Sequence, residues 1–231
     1  MSRDIPVIFS APMIHALIAG TKHQTRRMAW RSETDTKSMA FVCDGEKPHP
    51  LSKPAKNVSV QMAGRYWLRP TLWQQVKVGD RLYVRERASQ AGWDPGGDYE
   101  WLSIKYAATG DCKVVRTPFP GISKPFKTNG DIPSIHMPRW ASRLTLIVTG
   151  VKVEPLQDIS DADARAEGFQ RLEGLRGPDV EEVHRDAARD WFSDLWTNLH
   201  GAESWRANPD VVVVSFSIIK ANIDAPEARA A

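Results

Sequence analysis

The sequence has few of the residues that build disulfide frameworks and metal centres. Its 231 residues include only two cysteines, Cys43 and Cys112, and the six histidines do not follow the spacing of metal ligands. Two cysteines cannot form a framework of several disulfides, and a cysteine-rich zinc site needs three or four of them. These shortages argue against a metalloenzyme, and we expect neither a metal ion nor another cofactor.

Long apolar runs are missing as well. No stretch approaches the roughly 18 consecutive apolar residues that a membrane-spanning helix needs. The first residues, Met1 to Pro6, lack the apolar segment of a secretory signal peptide. Hydrophobic residues make up 42% of the chain and charged residues 26%, which is typical of a globular protein. We therefore expect a cytoplasmic protein with no membrane partner.

The charge is distributed unevenly along the chain. Residues 1–157 contain 23 Lys and Arg against 13 Asp and Glu, whereas residues 158–231 contain 8 against 15. A positive region favours anionic partners such as nucleotides or a nucleic-acid backbone. Two ordinary solvated surfaces of opposite charge explain the same counts, so charge alone leaves both interpretations open.

Local patterns predict strands and helices in a mixed order. Alternating apolar residues predict five strands, at 6–9, 82–88, 101–106, 144–153 and 211–219, with a bulge or bend at Gly150. Capping residues and glycines predict three helices, from Ser10 to Gly20, from Ser160 to Gly168 and from Asp179 to Gly201. Five or six strands with about three helices favour an α+β fold built on a small curled sheet or β-barrel.

The remaining segments define the expected domain limits. Residues 31–65 and 108–133 are polar, rich in proline and glycine and without a regular period, so we expect two long insertions there. Residues 1–220 then form a single domain, and residues 221–231 a flexible tail.

The densest polar cluster follows the first predicted helix, at residues 20–27. Lys22 and Thr25 lie three positions apart, which lets an amine and a hydroxyl meet in a turn. A hydroxyl nucleophile needs a neighbouring base, and a lysine with a lowered pKa can serve. Arg27 could hold a phosphate or a planar base through two hydrogen bonds. The alternative is a basic surface turn in which the threonine has only a capping role.

A second cluster lies at residues 134–143, just before a predicted strand. Arg139, Trp140 and Ser142 could stack a base and bond its edge or its phosphate. Equally, Trp140 could be a core residue with Arg139 extending to solvent. Glu86 alternates onto the side of buried residues, where an unpaired carboxylate is unfavourable. We therefore predict that Glu86 faces a pocket and pairs with Arg27 or Arg139.

Several motifs in this order resemble a known family. They are Gly20-x-Lys22-x-x-Thr25-x-Arg27, Gly79-Asp80-Arg-Leu82-Tyr-Val84, the 144–153 strand, Ile159-Ser160-x-x-x-Ala164-x-x-Glu167-Gly168, the helix with Trp191, Phe192 and Trp196, and the Val211–Phe216 strand. Together they resemble the ASCH domain, which has a PUA-like β-barrel fold. Arg85-Glu86 and the 135–143 segment are most similar to phage- and prophage-encoded ASCH proteins. The resemblance covers about half of the chain and leaves out both predicted insertions.

The resemblance implies an amidohydrolase. The family includes small bacterial enzymes that remove acyl groups from N4-acylated cytidines with a Lys, a Thr and a Glu. It implies Thr25 as nucleophile, Lys22 as its base and Glu167 as acid/base or orienting carboxylate, with Arg27 holding the substrate or its oxyanion. We expect the Lys22 amine within hydrogen-bond reach of the Thr25 hydroxyl, in a pocket rimmed by Arg27 and Trp140. Replacing Lys22 by alanine should then abolish turnover with little loss of stability.

The same resemblance leaves a second class of function open. PUA-like and ASCH domains are also credited with RNA binding, and some with RNA cleavage. The partner would then be a single-stranded nucleic acid, RNA in preference, held at Arg139 and Trp140. A third alternative is a protein that binds a modified nucleotide without turning it over.

Overall fold

The computed structural model describes residues 2–33, 61–63, 66–96, 99–118, 130–169 and 180–229. Its strands are β1 (Asp4–Ile8), β2 (Gln24–Met28), β3 (Trp30–Glu33), β4 (Gln61–Ala63), β5 (Tyr66–Pro70), β6 (Arg81–Arg85), β7 (Ala88–Gly96), β8 (Tyr99–Tyr106), β9 (Cys112–Pro118), β10 (Asp131–Ile132), β11 (Thr145–Pro155) and β12 (Asp210–Ile219). Its helices are α1 (Ala11–Ala19), α2 (Asp161–Glu167), α3 (Val180–His200), α4 (Ala202–Arg206) and α5 (Pro226–Arg229). No helix in these ranges has the length and apolar content needed to span a membrane.

The central sheet has five strands in the order β1-β6-β11-β12-β2. β1 and β6 are parallel, and the other neighbours are antiparallel. The mixed order of strands and helices confirms the predicted α+β class. A closed barrel is not formed in the described part of the chain, because β1 and β2 remain the two edges of this sheet. A side chain links these edges, since Arg27 Nη2 donates to the Ile8 carbonyl at 3.0 Å.

The predicted irregularity at Gly150 is a β-bulge in β11. Val148 pairs with Phe216 and Gly150 with Ser215, so Thr149 is the extra residue. A Cβ at position 150 would lie 3.6 Å from the Ser215 Cβ. The bulge is confirmed, and it increases the local twist of the long β11–β12 pair.

Strands also occur where irregular insertions were expected. A four-stranded sheet has the order β10-β7-β8-β9, and a three-stranded sheet has the order β3-β5-β4. Therefore β4 and most of β3 lie within the predicted 31–65 insertion, and β9 and β10 lie within 108–133. Residues 34–60, 64–65 and 119–129 fall outside the described part of the chain.

The β12 segment Val211–Val214 contributes to two cores. Val212 and Val214 pack with β1, β6 and α1 in a first core, whereas Val211 and Val213 pack with α2 and α3 in a second. Because side chains alternate along a strand, a continuous apolar run indicates that both faces are covered. A third core, which includes Leu102, Ile104 and Tyr106, lies beneath the four-stranded sheet.

The predicted helix ends agree with the capping geometry. Gly20 ends α1 with φ 73° and Gly168 ends α2 with φ 117°, both in the left-handed region that favours glycine. At the start of α2, the Ser160 hydroxyl accepts a hydrogen bond from the Asp163 amide at 3.1 Å. The predicted start of the long helix, Asp179, lies outside the described residues, and α3 is described from Val180.

The C-terminal segment packs against the domain, which corrects the expectation of a flexible tail for residues 221–229. The side chains of Ile223 and Ala228 are completely buried. The Asn222 side-chain amide contacts the carbonyl oxygens of Arg139, Trp140 and Ser142 at 2.9, 3.2 and 2.8 Å. Residues 230 and 231 lie outside the described part of the chain.

Ile223→Ala tests this packing. Deleting a fully buried isoleucine side chain should lower the free energy of unfolding by about 2–5 kcal/mol, measured by urea denaturation. Ile135 is 61% exposed, so Ile135→Ala is the matched control and should change it by less than about 0.5 kcal/mol. Equal effects of the two substitutions would contradict the docking of this segment.

Candidate functional site

The cluster predicted as a turn is largely strand β2, and the alternation of the strand divides its side chains between two faces. Thr25 and Arg27 pair with Val214 and Val212, which belong to the first core. Arg26 pairs with Val213, which belongs to the second core, on the side of α2 and α3. The local sequence thus places Thr25 and Arg27 on one face and Arg26 on the other.

Folding brings Lys22 to Glu167 across 145 residues of sequence. Lys22 Nζ lies 2.5 Å from Glu167 Oε2 and donates to the Glu167 carbonyl at 2.9 Å. The next residue, His23, donates its amide to the Ala166 carbonyl at 2.7 Å. These bonds satisfy carbonyl groups at the C-terminus of α2, where a positive charge is also favourable.

The Lys22–Glu167 pair is buried, with the two side chains 0% and 3% exposed. Burial lowers the pKa of the Lys22 amine below its ordinary value, and the Glu167 carboxylate opposes this shift. Removing one member of a buried ion pair usually destabilises a protein by about 3–5 kcal/mol. The expectation that Lys22→Ala leaves stability nearly unchanged therefore does not fit the structure.

Glu167 belongs to a larger set of charges that we call the ion cluster, made of Lys22, Arg26, Lys152, Glu154, Asp163 and Glu167. Arg26 is its centre: Nη2 lies 2.8 Å from Glu154 and 3.1 Å from Asp163, and Nη1 lies 3.4 Å from Glu167. Lys152, on the exposed side of the cluster, forms ion pairs with Glu154 and Asp163. Three positive and three negative groups are thus paired between β2, β11 and α2.

Sequence reasoning missed Arg26, although a signal for it was present. Gln24 and Arg26 alternate onto the same face of β2, and the side-chain Oε1 of Gln24 accepts a hydrogen bond from Arg26 Nη1 at 2.8 Å. A strand at residues 24–28 with both faces covered would bury Arg26, and a buried arginine needs a carboxylate partner.

Thr25 and Arg27 form a separate contact on the other face of β2. Arg27 Nη1 donates to the Thr25 hydroxyl at 2.9 Å, and the guanidinium lies 5.2 Å from the Phe9 ring and 5.4 Å from the Trp73 ring. Lys22 Nζ lies 5.8 Å from the same Phe9 ring. Lys22 and Arg27 therefore both contact Phe9, and Arg27 also binds the Thr25 hydroxyl. The hydrogen bonds of the Lys22 amine go to Glu167 and not to Thr25, so the predicted Lys22–Thr25 bond is not present.

The second predicted cluster lies elsewhere. Arg139 binds Asp4, at the start of β1, at 2.5 Å and Asp224 at 2.7 Å, whereas Arg27 contacts Ile8 at the other end of that strand. The Ser142 hydroxyl is buried and donates to the Leu144 carbonyl at 3.0 Å. Trp140 packs against the third core. The structure thus does not bring Arg139, Trp140 and Ser142 together with Lys22 and Thr25.

Glu86 is buried as predicted, but its predicted partner is wrong. Its two carboxylate oxygens accept hydrogen bonds from Arg143 Nε at 2.8 Å and Nη2 at 2.9 Å, and it pairs with neither Arg27 nor Arg139. The antiparallel pairing of Tyr83 with Thr145 brings residue 143 close to residue 86. The Arg143 guanidinium also lies 4.1 Å from the Tyr106 ring, so this pair joins the central sheet to the four-stranded sheet.

A cavity of about 260 Å³, which we call the α1–α3 cavity, lies beside the ion cluster. It is lined by Pro12, Met13, His15, Ala16, Ala19, Thr21, Glu167, Gly168, Trp191 and Leu195. Of the residues predicted for the site, Glu167 is in its wall, while Lys22, Thr25, Arg27 and Trp140 are not. Arg27 and Trp140, the two residues predicted to rim the pocket, therefore do not line this cavity.

No family model, curated protein or solved structure matches this chain. Any function proposed for this protein therefore rests on the geometry of its own residues.

Asp163→Asn tests the ion cluster through pH. Burial alone would raise the pKa of Asp163, but hydrogen bonds from Gln24 and Lys152 and the charge of Arg26 lower it to about 2. A carboxylate with a lowered pKa stabilises the fold above its ordinary value near 4, and this contribution is lost as the pH falls towards 2. The substitution should lower the free energy of unfolding at pH 7 by about 1–2 kcal/mol and by less at pH 3.

Urea denaturation at pH 7 and pH 3 measures this difference. Asp190, exposed on α3, supplies the control Asp190→Asn, which should leave the free energy of unfolding nearly unchanged at both pH values. An Asp163→Asn effect that is the same at both pH values would show that the carboxylate charge is not what stabilises the cluster.

Proposed function

We propose that this protein is an amide hydrolase of the ASCH type that removes acyl groups from N4-acylated cytidine-type nucleosides or bases. The observation that carries the proposal is the buried Lys22–Glu167 pair, assembled across 145 residues, with the Lys22 amine 5.8 Å from the Phe9 ring that Arg27 also contacts. Amide cleavage needs a nucleophile, a proton acceptor and a proton donor for the leaving amine. In this proposal Thr25 is the nucleophile, Lys22 accepts its proton and returns it to the leaving amine, and Glu167 orients the Lys22 amine.

Lys22 acts as the base. Its lowered pKa makes the neutral amine more accessible than in an exposed lysine. Glu167 fixes the position of the amine through two contacts, one to its carboxylate and one to its carbonyl. The pair is therefore held in a defined position before substrate arrives.

Arg27 prepares the nucleophile. Its guanidinium donates to Thr25 Oγ1, so a fixed positive charge stands next to the oxygen that becomes an alkoxide during attack. The same charge stabilises the oxyanion that forms on the amide carbonyl. Arg27 is half-buried and reaches the Ile8 carbonyl at the sheet edge.

The reaction has two steps. In the first, Thr25 Oγ attacks the amide carbon, its proton passes to the neutral Lys22 amine, and the C–N bond breaks as the leaving amine takes that proton from Lys22. The acyl group is then held as an ester on Thr25. In the second step, Lys22 accepts a proton from water, the hydroxide attacks the ester, and the C–O bond breaks. A carboxylic acid leaves, and Thr25 regains its proton.

RNA binding, the other function implied by the resemblance, was assigned to Arg139 and Trp140. The Arg139 guanidinium instead holds Asp4 and Asp224, and Asn222 contacts the Trp140 carbonyl. No contact among the described residues specifically favours a nucleic-acid polymer, so we assign a nucleoside-type small molecule as the partner.

Paired substitutions at Thr25 test the nucleophile. Thr25→Val keeps the shape of the side chain but removes the hydroxyl, and it should lower kcat on N4-acetylcytidine by at least about 10³-fold. Thr25→Ser keeps a hydroxyl and should retain measurable activity. Product formation is followed by mass spectrometry, and thermal melting confirms that both variants fold. A Val variant as active as the wild type would exclude Thr25 as nucleophile.

The pH dependence and Lys22→Arg test the base. The rate should rise with pH and level off at an apparent pKa below the ordinary lysine value of 10.5, because deprotonated Lys22 accepts the threonine proton. Arginine keeps the positive charge beside Glu167 but cannot serve as a base at these pH values, so Lys22→Arg should abolish turnover. An active Lys22→Arg variant with an unchanged pH profile would assign the base to another residue.

A further inference from the structure

We infer that Trp73 holds the Arg27 guanidinium in place beside Thr25 and is thereby a positioning residue for the proposed reaction. This inference rests on the proposed function, in which Arg27 stabilises the charge that develops during attack by Thr25. The Trp73 ring lies 5.4 Å from the Arg27 guanidinium, which in turn donates to the Thr25 hydroxyl at 2.9 Å. Trp73 thus reaches the candidate nucleophile through one intervening side chain.

Arg27 has no acidic partner in the part of the chain that the structure describes. Its hydrogen bonds go to the Thr25 hydroxyl and to the backbone carbonyls of Arg26 and Ile8. Burial lowers the pKa of the guanidinium more than the charge of Glu167 raises it. Arginine nevertheless keeps its proton in proteins, so a partly buried positive charge has to be stabilised by other means.

Two aromatic rings provide this stabilisation. The Arg27 guanidinium lies over the Phe9 ring at 5.2 Å and over the Trp73 ring at 5.4 Å. The face of an aromatic ring attracts a cation without placing a negative charge beside it. The positive charge of Arg27 therefore remains available to stabilise an oxyanion, whereas a carboxylate in the place of the indole would neutralise it.

Trp73 is itself fixed to the chain that follows Arg27. On one side of it in sequence, the Thr71 hydroxyl donates to the Met28 carbonyl at 2.6 Å. On the other side, the Gln74 side-chain amide donates to the Ala29 carbonyl at 2.6 Å. The Trp73 ring also packs against the first core. These contacts hold the indole at a defined position relative to the guanidinium.

Trp73 is a better position for a test than Phe9. Phe9 is only 2% exposed, belongs to the first core and also contacts Lys22, so its substitution would disturb several contacts at once. Trp73 is only partly buried. Trp73→Leu removes the aromatic ring, and Trp73→Phe keeps one. Leu72, next to Trp73 and 52% exposed, supplies the control Leu72→Ala.

Kinetics with N4-acetylcytidine measure the contribution of the ring. Trp73→Leu should lower kcat at least about tenfold and leave KM within about twofold, because a misplaced Arg27 weakens binding of the transition state more than binding of the substrate. Trp73→Phe should restore kcat to within about threefold of the wild type. Leu72→Ala should leave both constants within about twofold, and thermal melting confirms that the variants fold.

A double substitution separates positioning from a general effect on the fold. Trp73→Leu is also measured in an Arg27→Met background, in which the uncharged side chain has a similar length. There it should lower kcat less than about twofold, because the group through which Trp73 acts is gone. Equal losses in the two backgrounds would overturn the inference.

NMR of the Arg27 side chain tests the contact without turnover. The two Nη groups donate to different acceptors, so in the wild type they should give separate signals, which are assigned by their loss in Arg27→Met. Their interchange should be at least about tenfold faster in Trp73→Leu and unchanged in Trp73→Phe and Leu72→Ala. This pattern in a wild type that does not hydrolyse N4-acetylcytidine would show that the proposed function is wrong and that Trp73 holds Arg27. An unchanged interchange rate in Trp73→Leu would overturn the inference, whether or not the protein is an enzyme.

Discussion

The contact between the Lys22 amine and the Glu167 carboxylate is the interaction on which the central part of this protein depends. The Glu167 carboxylate, at the end of α2, pairs both with Lys22, which lies just before β2, and with Arg26, which lies within β2. Arg26 extends the same network to Glu154 of β11. Because a buried charge without a partner is strongly unfavourable, these elements have to pack in one relative arrangement. The position of Thr25 and Arg27 follows from it, since they lie on the opposite face of the same strand.

Much of the fold could be predicted because its signals are local. Gly20 and Gly168 mark helix ends through a backbone conformation that other residues rarely adopt. Ser160 caps α2 by accepting a hydrogen bond from the amide of Asp163, three residues further on. The bulge at Gly150 likewise interrupts a strong alternation of apolar residues. Each of these patterns is complete within about ten residues, so no knowledge of the rest of the chain is required.

Other parts depend on contacts between distant segments. Residues 24–28 show no apolar alternation that would predict a strand. The buried positions on one face are the polar residues Gln24 and Arg26, which bind polar groups of β12, β11 and α2. The partners of Arg139 and Glu86 were predicted wrongly for the same reason. A charge alone does not specify its partner, and only the strand register shows that Arg143 is the arginine next to Glu86. The candidate catalytic set came from motif resemblance, and the geometry adds Arg26, which pairs with Glu167 of that set.

The place of β2 in the sheet has a consequence for how the chain folds. Its ladder partner is β12, so β2 is stabilised by a strand that lies about 190 residues further along the chain. Pairing across such a separation is slow, and until it occurs β2 presents unpaired backbone groups to other chains. Charged side chains on an unpaired strand oppose aggregation. Arg26 and Arg27 within β2, and Lys22 just before it, are charges of this kind, so they oppose aggregation of the segment while β12 is not yet paired with it.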